Sequence, residues 1–128
     1  MKQTVTLTIT SLLTMLFASF HVTDDIVRGL DPARLSSLTL VPILVIWLYA
    51  ALVLAGRRSG YVILLLGSLL GAVIPVLHFQ GKRINEIAAS SGGFFFIWTL
   101  FAVGVTAIFS VVLSVRGLWN LRQGRPRT

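Results

Sequence analysis

Four uncharged, mostly apolar stretches divide the chain: Thr4 to Thr23, Leu38 to Gly56, Tyr61 to Gln80 and Gly93 to Val115. A bilayer core of about 30 Å takes about 20 apolar residues per helix, so each stretch predicts a membrane-spanning helix. The first begins after Lys2, as a signal peptide would. Its apolar part is too long and too Thr-rich for one, and His21 and Asp24-Asp25 follow where a small-residue cleavage site belongs. It therefore reads as a retained span. The expected fold is all-α: a polytopic membrane protein with a single four-transmembrane-helix, up-down-up-down bundle over residues 1–128. A basic tail follows over 116–128.

The connections carry their own signals. Asp31-Pro32 reads as an N-cap followed by Pro at the first helical position, which predicts a short interfacial helix in the first loop. Ser36 and Ser37 are placed to cap the second span. Arg57-Arg58-Ser59-Gly60 makes a tight turn, and Ser90-Ser91-Gly92-Gly93 ends the last loop. Trp119 and Tyr61 fall near one interface and Trp98 near the other, as an aromatic belt predicts.

Composition agrees with the pattern. Hydrophobic residues make up 55% of the chain and charged residues 12%, with a mean hydropathy of +0.89. A soluble domain carries about 25% charged residues. Half that charge cannot cover a water-facing surface, which argues against an ordinary soluble enzyme, an extracellular domain or a disordered tail. With no Cys, disulfides, thiolate metal sites, iron–sulfur clusters and cysteine nucleophiles are excluded.

The net charge of +7 divides unevenly between the two membrane faces. Lys2, Arg57, Arg58, Arg116, Arg122, Arg125 and Arg127 share one face with no acid. Arg28, Arg34, Lys82 and Arg83 share the other with Asp24, Asp25, Asp31 and Glu86. The positive-inside rule puts the first face, and with it both termini, in the cytoplasm. The excess charge at one surface points to membrane lipids with anionic headgroups as its partner, and not to nucleic acid, for which the tail is short and carries no recognition motif.

Small and hydroxylated residues recur at helical spacing. Gly67 and Gly71 form a small-xxx-small pair, with Ser68 and Ala72 beside them and Pro75 one turn further on, where it should kink the helix. Thr99, Thr106, Ser110 and Ser114 make a stripe on the fourth span. Thr10, Thr14 and His21 make another on the first, with Gln3 at one end and Arg28 at the other. Helix packing is the first reading of such stripes, because hydroxyls in lipid bond to their own backbone or to a neighbour. A solute path is the second. No carboxylate or Lys lies mid-membrane to act as a coupling group.

Both histidines, His21 and His78, fall at the outer ends of odd-numbered spans, hence at similar depth. His21, Asp24 and Asp25 stand at i, i+3 and i+4 and share a face if the first helix continues; Glu86 follows His78 in the loop. Two imidazoles with nearby carboxylates form a ligand set for a divalent metal, and His21, Asp24, Asp25, His78 and Glu86 are the candidate ligands. Bis-histidine haem is a further reading, with the Phe94-Phe95-Phe96 run nearby. A structural network competes with both: Asp24 or Asp25 with Arg28, Glu86 with Lys82 or Arg83, and the histidines bonded to neighbouring helices. No catalytic residue set stands out.

The segments His21-Val22-Thr23-Asp24-Asp25-Ile26-Val27-Arg28-Gly29 and Ser90-Ser91-Gly92-Gly93-Phe94-Phe95-Phe96-Ile97-Trp98-Thr99, with the Arg57–Tyr61 turn and the Arg116-Gly117-Leu118-Trp119 end, resemble a group of small, uncharacterised bacterial four-span membrane proteins. The resemblance implies four spans and a bacterial inner membrane, and carries no activity. The expected function is that of a non-enzymatic accessory or interaction protein whose outer-face His/Asp cluster binds a partner, a metal or a small polar ligand. The alternatives are an oligomeric transporter or channel subunit, with the Gly67/Gly71 face as a seam, and a haem-binding membrane protein. A homo-oligomer or a larger membrane complex is the expected assembly.

Overall fold

The structure, a computed structural model, describes residues 2–29, 37–79 and 84–124. They form five helices: α1 (Lys2–Val27), α2 (Ser37–Leu52), α3 (Arg58–Phe79), α4 (Ile84–Ala89) and α5 (Gly93–Arg122). Among the described residues there is no strand. At about 1.5 Å per residue, α1, α3 and α5 exceed a bilayer core, and all three are apolar enough to cross one.

The second expected span is the exception. α2 has 16 residues and covers about 24 Å, because it stops at Leu52 and not at Gly56. The chain folds back over residues 53–57, with Arg57 N–H bonded to the Leu54 carbonyl at 2.9 Å. Gly56 supplies the positive φ of 75° that this reversal needs. The turn thus lies earlier than expected, and Arg58, Ser59 and Gly60 already belong to α3. Gly60 touches the Leu54 carbonyl so closely that no Cβ fits between them.

Other boundaries also moved outward. α1 continues through Asp24 and Asp25 to Val27, and α5 carries the helix through Arg116 to Arg122 into the expected tail. The last loop contains the unexpected short helix α4. Gly92, with φ of 75°, begins α5. The Asp31-Pro32 helix start and the Ser36 and Ser37 caps lie outside the residues or side chains described.

Two interior stripes hold the bundle together. On α1 the buried positions are Leu7, Ser11, Thr14, Met15, Ala18, His21 and Asp25. On α5 they include Gly93, Phe96, Leu100, Val103, Ala107, Ser110, Ser114 and Gly117. Met15 apart, both sets step by three and four residues, the 3.5-residue spacing of a close helix–helix seam. Gln3 bonds to the Leu113 carbonyl, Thr10 to Ser110 and His21 to Thr99, so α1 and α5 are antiparallel. Thr4 meets Tyr61 and Asp25 meets His78, so α1 and α3 are parallel. α5 packs against both.

The packing is that of a body surrounded by lipid. Small and hydroxylated side chains lie inside, while Ile9, Leu16, Leu66, Leu70, Phe101, Ile108 and Phe109 stand exposed on the outside. In water such a surface would be an unsatisfied apolar patch; in a bilayer, small interior residues are what let helices approach. Gly67 lies under the Trp47 ring, where an added Cβ would come within 2.7 Å, and Gly71 lies against Thr14 and Ala107. The small-residue face of α3 is therefore filled from within the chain. Among the stripe hydroxyls, Thr10, Thr14 and Thr106 donate to carbonyls of their own helices, while Ser114 is buried with no partner among the described residues.

A candidate metal centre of two histidines and one aspartate

The candidate site lies at the end of the bundle where α1 and α3 finish and α5 begins. His21 is fully buried. Its Nδ1 is 3.1 Å from the Thr99 hydroxyl. That hydroxyl gives its own hydrogen to the Phe95 and Phe96 carbonyls, each at 3.0 Å. With the hydrogen placed there, Thr99 accepts and His21 Nδ1 donates. In a neutral ring this leaves Nε2 as a bare lone pair, and Nε2 has no hydrogen-bond partner.

His78 is oriented in the same way. Its Nδ1–H donates to the Ile74 carbonyl at 2.9 Å, and its Nε2 lies 3.1 Å from Asp25 Oδ2. The other nitrogen, His21 Nε2, is 3.8 Å from the same oxygen. The ligand atoms of His21, Asp25 and His78 all fall within 4.8 Å of one another. Asp25 itself is 5% exposed. The two rings meet edge to face, with centroids 4.9 Å apart, and Phe96 packs against both.

This geometry separates the five expected ligands. His21, Asp25 and His78 converge. Asp24 turns away and binds Arg28 Nε at 2.8 Å. Arg28 continues to the Ser90 hydroxyl at 3.0 Å and the Ser91 carbonyl at 3.1 Å, and its guanidinium lies over the Phe96 ring. It ties the end of α1 to the start of α5 and leaves Asp25 free of any Arg contact among the described residues. Glu86 sits exposed on α4, outside the converging set. Its expected pairing with Lys82 or Arg83 lies outside the described residues. Sequence reasoning missed Thr99 as the partner of His21, and Phe96 as the wall shared by both rings. The antiparallel register of α1 and α5 creates those contacts, and no residue spacing announces it.

The arrangement suits a small cation. A proton on His78 Nε2 satisfies His78 and Asp25 but leaves the His21 lone pair facing a carboxylate oxygen with nothing positive between them. A first-row divalent ion, with bonds of about 2.0–2.2 Å to nitrogen and oxygen, would take up all three donors once they close from their present spread of up to 4.8 Å. Each ring's second nitrogen is already held by an oxygen, the outer support that metal-bound imidazoles ordinarily have. Haem does not fit. Two axial imidazoles lie on opposite sides of a porphyrin, and rings this close, with the Asp25 carboxylate beside them, leave no plane for the macrocycle.

Comparison with family models, curated proteins and solved structures finds no match for this chain.

Proposed function

We propose that the chain is a four-span, non-enzymatic membrane protein that holds a divalent cation between its first and third helices. The observation that carries this reading is the buried, unpartnered Nε2 of His21, aimed at the carboxylate that also faces His78. Two imidazoles and one carboxylate suit zinc and, with other ligands added, Fe²⁺ or Mn²⁺. The metal joins α1 to α3 at the end where the loops emerge, so it sets the shape of the surface offered to a membrane partner. α2 completes the four-span topology as a short, uncharged helix. The asymmetry of the basic residues supports cytoplasmic termini and an outward-facing metal centre in a bacterial inner membrane.

Zinc binding to the detergent-purified full chain tests the function. One equivalent should bind and raise the melting temperature, and His21→Ala and His78→Ala should lose that rise to a similar degree. Unequal losses mean that the rings serve separate structural roles, and no binding to the native chain overturns the reading. A reporter that folds only in the cytoplasm, fused after Thr128, tests the orientation; activity only of a periplasmic reporter reverses it.

A further inference from the structure

The opposite end of the bundle has a cleft of its own. It runs between the first turns of α3 and the last turns of α5, and encloses about 520 Å³. Val62, Val115 and Leu118 line it with apolar surface, and Arg58 and Arg122 bring two guanidinium groups to it. Trp119 also lines it and is 58% exposed. Below it Tyr61 packs against Gly117 so tightly that no Cβ fits there. Arg57 and Arg116 are exposed nearby, and the described carboxylates, Asp24, Asp25 and Glu86, all belong to the other end.

We propose that this cleft holds one anionic glycerophospholipid, with its phosphate between Arg58 and Arg122 and the start of an acyl chain on Val62, Val115 and Leu118. Guanidinium groups match phosphate oxygens through paired N–H donors. The first turn of α3 puts the positive end of its helix dipole at the same end of the bundle. An exposed Trp at such a rim is the ordinary marker of headgroup depth. The volume lies within the range of about 300–1,000 Å³ typical of ligand sites. A second copy of this chain is a poor occupant, because it would bring an equally basic end against Arg58 and Arg122. The proposal rests on the membrane reading, but not on the metal centre or on which compartment this end faces.

Native mass spectrometry of the full chain in detergent, with phosphatidylglycerol or phosphatidylcholine of identical tails added, tests it. Phosphatidylglycerol should be retained at least about tenfold more tightly. Arg58→Ala/Arg122→Ala should abolish the preference, and Arg57→Ala/Arg116→Ala should keep it. Equal retention of the two lipids overturns the proposal, as does a preference that survives in Arg58→Ala/Arg122→Ala. Displacement of the lipid by millimolar inorganic phosphate reduces the site to an anion pocket, and a lipid-free dimer makes the cleft a protomer seam; either result overturns it. Flotation with phosphatidylglycerol vesicles separates this failure from failure of the membrane reading, since a chain that is not membrane-embedded does not float after an alkaline wash.

Discussion

His21 and His78 meet edge to face, 4.9 Å between ring centroids, although 57 residues separate them in the chain. Each ring spends its Nδ1–H on an oxygen of a helix, and each turns Nε2 toward Asp25. Two rings held in matching tautomers around one carboxylate make a donor set for positive charge.

Thr99→Val removes the acceptor that orients His21 while keeping the side-chain shape. Loss of such an outer partner costs about 10–100-fold in metal affinity. Zinc titration should show that loss in Thr99→Val and near-native affinity in Thr99→Ser, which retains the hydroxyl. An unchanged affinity in Thr99→Val would show that the Thr99 contact does not set the ring.

Asp25→Asn separates the fold from the site. The two N–H donors of an amide can serve the bare Nε2 of His21 and of His78, whose rings both spend their Nδ1–H elsewhere, so the amide satisfies lone pairs that the carboxylate only faces. The variant should be as stable as the native chain in zinc-free buffer, or more so, and should gain nothing from zinc. Asp24→Asn weakens only the partly exposed pair with Arg28, at a cost below about 1 kcal/mol, and should keep its response to zinc. Thermal melts with and without zinc read both outcomes.

Gly67→Ala should destabilise the bundle by about 1–3 kcal/mol, the usual cost of overpacking. Its methyl group would come within 2.7 Å of the Trp47 ring, and the ring is wedged between α2 and α3. Gly71→Ala should cost less, since the nearest atoms, Thr14 Cγ2 and Ala107 Cβ, lie at 3.1 and 3.3 Å. Unfolding in mixed micelles ranks the two.

Thr10→Cys/Ser110→Cys should form a disulfide under mild oxidation in native membranes. The two hydroxyl oxygens are 3.0 Å apart, and the chain contains no other Cys to compete. A shift in electrophoretic mobility reports the bond. Thr6→Cys/Ser110→Cys should not form one, because Thr6 faces outward.

The purified protein should be colourless, even from haem-replete cells. A Soret band lost in both His21→Ala and His78→Ala would contradict the ring geometry described above.

The sequence alone determined that this chain is helical and built for lipid, and it located most of the long helices. Those properties come from local composition: uncharged runs of sufficient length leave the backbone no partner in a bilayer except itself. It also identified His21, Asp25 and His78 as members of one cluster, since helix direction places both histidines at one end. It did not show where α2 stops, because the reversal at Leu54 to Arg57 depends on contact with Gly60 of the next helix. Nor did it divide two adjacent aspartates between two tasks. Asp24 and Asp25 differ by about 100° around α1, and only the packing of α5 and α3 against that helix gives Arg28 to one and the imidazoles to the other. The ring tautomers follow from Thr99 and Ile74, neighbours that the tertiary structure alone supplies. A site made where three helices meet is written in their register, and register is a property of packing that no single segment carries.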